Sequence, residues 1–385
     1  TMQTIARFVP AILLASAAAT SPKTASAQQQ PILTKVASFD HQVTGVTISN
    51  EGRIFVNFPR WTDDAPVSVA EVKDGKTVPF PDERWNAWRN AKKDDLNPAD
   101  HFVCVQSVVA DGQGRLWVVD AAAPAMGAVV KNGAKLVAID LKTNKVVQTI
   151  AIPETVALQA SYLNDVRISP DGKTAYLTDS GAQGALIVVD IDSGKARRVL
   201  DGDPTTQPDP KVTVHYDGKP LRRPDGRGVE FSADGIALSV DGSTLYWQAI
   251  KGQRLFSIPT ASLTGWITAR VVPDAVTDRS LAGDVRVVGD NGPADGLLIS
   301  RADGRMYITS PQDDSIKVRD IAGGNAAPTT LIKDARLRWP DTFAEGRDGT
   351  IYVTTSKIQD SAFFKEGAPS SLTTELWSFK PTQAR

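Results

Sequence analysis

Apolar residues in this chain come in short runs of about five or six, paired across turns of Asp, Asn or Gly; almost nowhere do they follow a sustained helical period. The stretch LNDVRISPDGKTAYLTDS from Leu163 shows the unit. A polar lead residue, Asn164, precedes an apolar run, the Asp171-Gly172 turn and a second apolar run with an aromatic. Five further copies follow the same template. They are VTGVTISNEGRIFVNF, led by Thr44, VQSVVADGQGRLWVVD by Gln106, ADGIALSVDGSTLYWQ by Asp234, ADGLLISRADGRMYIT by Asp295, and PDTFAEGRDGTIYVTT by Asp341. The leads are 62, 58, 70, 61 and 46 residues apart, so the spacing is loose while the motif is tight.

Each copy reads as a β-hairpin, because two strand-length runs rich in Val, Ile, Leu and Tyr meet at an Asp-Gly type of turn. Intervening segments such as KLVAIDLKTNKVVQTI from Lys135 and ALIVVDIDSGKARRVL from Ala185 supply a second pair of strands per unit. About four strands in each of six units, with no long helix, predict an all-β, six-bladed β-propeller. The runs PILTKVASFD and ELWSFK, from opposite ends of the chain, are expected to share one sheet and close the ring. Residues 202–228, rich in Pro, Gly and Asp, read as an irregular excursion with one hairpin; Arg222, Arg223 and Arg227 there face either an acidic ligand or solvent.

A propeller's innermost strands line its channel, so six equivalent lead positions form a ring near one mouth: Thr44, Gln106, Asn164, Asp234, Asp295 and Asp341. Converging carboxylates repel one another, and a hard cation held by oxygen donors relieves them. Asn164, Asp234, Asp295 and Asp341 are therefore candidate metal ligands, with Ca²⁺ favoured. A metal held there is able to polarise an ester carbonyl while Asp234 or Asp295 helps deprotonate water. Asp and Asn before a strand also serve as connectors that bond nearby backbone N–H groups, and on that reading no ion is implied. Thr44 and Gln106 complete the ring as ligand contacts. The aromatics Tyr162, Phe231, Trp339 and Phe343 flank the leads and either wall a ligand pocket or pack between blades, whereas Trp61, Trp85, Trp88 and Trp117 read as core.

FPRWTDDAPVSVAEV from Phe58, with PFPDERWNAW, LWVVDAA, LNDVRISPDGKTAYLTDSG and RLRWPDTFAEGRDGTIYVTTS, resembles the major royal jelly protein/yellow family over about Val43 to Ser356. The resemblance implies a secreted six-bladed propeller that binds small aromatic amines at one end of its channel, in some members with dopachrome-converting activity. The chain departs from the insect members in lacking their paired cysteines. A more distant similarity, in LNDVRISPDGKTAYLTDS, SADGIALSVDGSTLYW and PADGLLISRADGRMYIT, is to the senescence marker protein/gluconolactonase family. It implies a divalent cation on the axis at Asn164, Asp234 and Asp295, although Thr44 stands where that family has a Glu. The candidate functions are therefore binding or conversion of a small organic molecule, metal-dependent lactone hydrolysis, and a non-catalytic interaction platform.

Composition narrows this only a little. The chain has 385 residues, 41% hydrophobic and 23% charged, enough to bury a large core. Arg7, the apolar run Phe8 to Ala19 and Ala25-Ser26-Ala27 read as a secretory signal peptide over residues 1–27, leaving one propeller domain over 28–385, secreted or periplasmic. The run is twelve residues, against about 20 for a membrane span. Without residues 1–27 the chain carries 41 basic and 44 acidic side chains, which argues against nucleic acid as a partner. Cys104 is the sole cysteine, excluding an intrachain disulfide, and the three histidines lack metal-ligand spacing.

Overall fold

The computed structural model describes residues 29–268, 278–322 and 326–381, so the expected signal peptide lies outside the described residues. The paired runs fold as six four-stranded antiparallel sheets, the blades of a propeller. Their inner strands are, in order, Val46–Ile48, Val105–Ala110, Leu163–Ile168, Ala233–Leu238, Leu297–Ile299 and Pro340–Glu345. Successive inner strands touch, and the sixth touches the first. The hairpin after each inner strand turns through a glycine in the left-handed region, as at Gly172 (φ 71°) and Gly242 (φ 75°), where a Cβ would be strained.

The ring closes as the end runs predict. Thr34–Phe39 pairs antiparallel with Thr374–Phe379, so the first strand of the chain becomes the outer strand of blade 6. The excursion contains the expected small hairpin, His215–Tyr216 with Lys219–Pro220. Two short helices, Thr260–Thr268 and Asp278–Asp284, lie between the two outer strands of blade 4 and had no clear periodic signal. Among the described residues no helix is long and apolar enough to cross a membrane.

Apolar clusters occupy all six blade interfaces. Because each blade is sandwiched between two others, its strands are buried on both faces and read as continuous apolar runs. In the second strand of blade 2, Arg115–Asp120, Leu116 and Val118 pack toward blade 1 while Trp117 and Val119 pack toward blade 3. Trp85, Trp88 and Trp117 belong to such clusters, as expected.

Candidate functional site

Every lead residue sits at an irregularity where its inner strand begins. In blades 2, 3, 4 and 6 the register shifts across Gln106, Asn164, Asp234 and Asp341. In blades 1 and 5 the backbones of Thr44 and Gly45 both bond Asn57, and those of Asp295 and Gly296 both bond Thr309. A bulge re-aims the side chain of the extra residue, and here it turns polar groups toward the axis. The lead carbonyls meanwhile tie neighbouring blades together. Hydroxyls of Thr44, Ser107, Thr178 and Thr354 donate to the carbonyls of Gln106, Asn164, Asp234 and Thr44, at 2.9, 2.9, 2.6 and 2.5 Å. The Asp341 carbonyl lies 2.0 Å from where a Cβ on Gly296 would stand, so that approach requires glycine.

Five of the six leads, Gln106, Asn164, Asp234, Asp295 and Asp341, line one cavity of about 480 Å³. Its apolar wall includes Trp61, Tyr162, Phe231, Ile250 and Ile358, with half-buried Arg223 and exposed Glu230 also bordering it. Trp61 Nε1 donates to the Tyr162 hydroxyl (2.5 Å), which donates to Gln106 Oε1 (2.8 Å), joining wall to floor. Burial pushes the Tyr162 phenol well above its ordinary range and the neighbouring Cys104 thiol up to about 12, so both stay protonated.

The floor is an acid cluster. Asn164 Nδ2 donates to Asp234 Oδ2 (2.8 Å), Trp339 Nε1 to Asp295 Oδ2 (2.7 Å) and Thr342 Oγ1 to Asp341 Oδ1 (2.9 Å). The Asp234 and Asp295 carboxyls lie within hydrogen-bonding reach of each other. Burial raises all three carboxyls well above the usual carboxylate range, and each is raised further by a neighbour's charge: Asp341 acts on Asp234, Asp234 on Asp295, and Asp295 on Asp341. Such a cluster either keeps protons or takes up a positive group.

Beneath it the channel is crossed. Arg167 reaches from the inner strand of blade 3 to that of blade 5, donating from Nη2 to the Leu297 carbonyl (3.0 Å) and from Nη1 to Asp165 Oδ2 (3.0 Å). Beyond it a second cavity of about 380 Å³, at the other ends of the inner strands, forms the far mouth.

Three expected ligand contacts stand elsewhere. Thr44 is fully buried, its hydroxyl donating to the Gln106 carbonyl and accepting from Asn57 Nδ2, and it does not line the cavity. Trp339 is also fully buried and acts behind the wall, through Asp295. Phe343 packs against Tyr307 between blades 5 and 6 and borders the far cavity. Trp61, read from the sequence as core, is buried in the cluster between blades 2 and 3 and also lines the cavity, as does Arg223.

The donors are oxygens, as a hard cation requires. The Asp234 and Asp295 oxygens that accept from Asn164 and Trp339 are already engaged, and among the described residues no three His, Cys, Asp or Glu side chains are grouped so as to hold a metal ion. The side chains as arranged make a hydrogen-bonded acid cluster rather than an assembled ion cage.

Several known structures share the architecture. The chain is similar to a luciferin-regenerating enzyme (12% identity, TM-score 0.55, covering 92% of this chain and 96% of that one). It is similar also to a gluconolactonase from Xanthomonas campestris (14%, TM-score 0.52, 91% and 89%) and to the calcium-binding protein regucalcin from Agrobacterium tumefaciens (15%, TM-score 0.51, 90% and 95%). At these identities the likeness establishes the fold. In sequence the chain is 27% identical over 230 residues to major royal jelly protein 1 of Apis mellifera, a match covering 54% of this chain; it spans about half of that relative, 48%. The family described as major royal jelly protein matches residues 103–364, which include five of the six lead positions and the excursion, and the chain belongs to that family.

Proposed function

We propose that this protein binds a small organic molecule at the lead-residue mouth of its channel. The body of the ligand lies against Trp61, Tyr162 and Phe231, and a cationic or hydrogen-bond-donating group points at Asp234, Asp295 and Asp341. The observation that carries this reading is the pairing, in one 480 Å³ cavity, of an aromatic wall with a buried acidic floor. That volume falls within the range of about 300–1,000 Å³ typical of ligand sites. If the bound molecule is also converted, the adjacent Asp234 and Asp295 are the acid–base pair, since burial raises both carboxyls and the charge of Asp234 raises Asp295 further, so that the pair holds a proton more readily than an exposed carboxylate.

A divalent cation at the same cluster is the second reading, favoured by the mutual repulsion of the three carboxyls. Its ligands would be the carboxylate oxygens and lone pairs that the bonds from Asn164 and Trp339 leave available.

Calorimetric titration and thermal unfolding with aromatic amines and with lactones, each with and without Ca²⁺, separate these readings. A ligand at about 100 times its Kd adds about 2.7 kcal/mol to the folded state. The small-molecule reading expects such a gain from an amine without Ca²⁺, lost in Trp61→Ala. A gain from Ca²⁺ alone, with no organic compound binding, would replace it with the cation reading.

A further inference from the structure

We propose that Arg223 recognises an anionic group on the ligand, so that the cavity takes an amphoteric molecule: carboxylate-bearing at the outer wall and donor-bearing or cationic at the acid floor. This rests on the small-molecule reading above and narrows its ligand class.

Arg223 comes from the excursion between blades 3 and 4. A tight turn holds it, with Arg223 N bonding the Arg227 carbonyl (2.6 Å) and Gly226 N bonding the Arg223 carbonyl (2.9 Å). Its guanidinium lies over the rings of Phe363 and Phe364, 6.0 and 5.8 Å from their centroids. Stacking of that kind orients the planar fork while leaving its N–H edge free to bond.

The nearby acids are already engaged. Asp225 accepts from Arg227 Nε (2.7 Å), and Glu230 accepts from Lys251 Nζ (2.7 Å). Other arginines of the same face are paired, Arg338 with Asp360 and Asp217, and Arg198 with Asp179 and Asp201. Arg223 is the basic side chain bordering the cavity, and among the described residues it forms no ion pair and no side-chain hydrogen bond. A half-buried guanidinium has five donors to satisfy, and a carboxylate meets two of them at once. The acid floor belongs to the same cavity, yet Asp234, Asp295 and Asp341 are occupied by Asn164, Trp339 and Thr342 instead of by this arginine. One cavity thus offers an unpaired cation and a separate acid cluster, an arrangement that a molecule carrying both charges bridges.

The test uses matched probes that differ by one carboxylate: tryptamine against tryptophan, and phenethylamine against phenylalanine. Calorimetry on the wild-type protein is expected to show the carboxylate-bearing member of a pair binding about tenfold more tightly, as one charge-assisted bidentate contact implies. Arg223→Gln should abolish that preference, bringing the two members of each pair to equal affinity, and Arg223→Lys should retain part of it. Unfolding midpoints of the variants verify that the excursion is intact. Equal affinities within each pair, or a preference that survives Arg223→Gln, overturn the assignment and leave the small-molecule reading standing. Failure of all four probes to bind at millimolar concentration overturns both.

Discussion

The two mouths of the channel treat buried acids in opposite ways. At the far mouth and in the channel below the leads, each acid has an arginine: Asp111 pairs with Arg115 (2.7 Å), Asp165 with Arg167 (3.0 Å) and Glu345 with Arg301 (3.4 Å). At the lead mouth Asp234, Asp295 and Asp341 are as deeply buried, at 5–6% exposure, and are held by an amide, an indole and a hydroxyl. Burial of acid is therefore common to both ends, and what separates them is neutralisation. Acids left without a counter-charge in a cleft are candidates for function, and those with one read as structure.

Breaking the neutralised end should have the largest effect. Arg167→Met leaves Asp165 in the channel without its cation and the Leu297 carbonyl without a donor. The expected loss is about 2–4 kcal/mol, measured by urea unfolding at pH 7. A loss under about 0.5 kcal/mol at pH 7 would mean the crossing contributes nothing to stability, and the contrast between mouths would lose its meaning.

The opposite sign is expected at the lead mouth. The raised carboxyl of Asp341 favours the folded state fully below the unfolded value of about 3.9, and that contribution is lost as pH rises through the folded value. Asp341→Asn removes one of three repelling charges and keeps an acceptor for Thr342 Oγ1. It should stabilise the protein by about 1–3 kcal/mol at pH 8 and by nearly nothing at pH 4. The difference between variant and wild type is the quantity to follow, since carboxyls elsewhere move the other way, Glu71 being lowered chiefly by its bond to Arg53. A destabilised variant at pH 8 would show that a positive group already occupies the cluster.

Much of this contrast could be read from the chain itself, and the remainder could not for definable reasons. The repeated hairpin announced the blades, and the glycines at 45, 235 and 296 mark where a chain segment or side chain crowds the next residue after a lead. The acid floor followed from the template alone. The wall did not, because Trp61 and Arg223 reach the cavity from connections that carry no period. Trp61 had one local signal: the preceding Arg60, fully buried, donates to the carbonyls of Ala65, Asn86, Phe102 and Val103 and so fixes the loop that presents the indole. Proximity in sequence misplaced two aromatics. Trp339 is two residues before a lead but takes φ 51°, a left-handed conformation uncommon for a bulky side chain, and its indole ends behind Asp295. Phe343 lies past the irregularity at Asp341 and Thr342, where the strand has resumed its ladder and the ring enters the interface of blades 5 and 6.

The smallest expected effect sharpens the comparison within the ring itself. Thr44 occupies a lead position, yet its hydroxyl is spent on the Gln106 carbonyl and on Asn57 Nδ2, which also donates to the Val105 carbonyl (2.9 Å). Thr44→Val keeps the shape and removes those bonds. Asn57 retains a partner and the Gln106 carbonyl loses one, so the cost should be about 1 kcal/mol of stability. Affinity for an amine that binds the cavity should not change, because Thr44 does not line it. Gln106→Ala is the paired control: it removes the acceptor of the Tyr162 hydroxyl inside the cavity, and should weaken binding several-fold. If Thr44→Val weakens binding as much as Gln106→Ala does, all six leads act on the ligand. If it lowers only the unfolding midpoint, the lead of blade 1 contributes to the blade-to-blade girdle and the ligand is read by the leads of blades 2 to 6, with Trp61 on the wall.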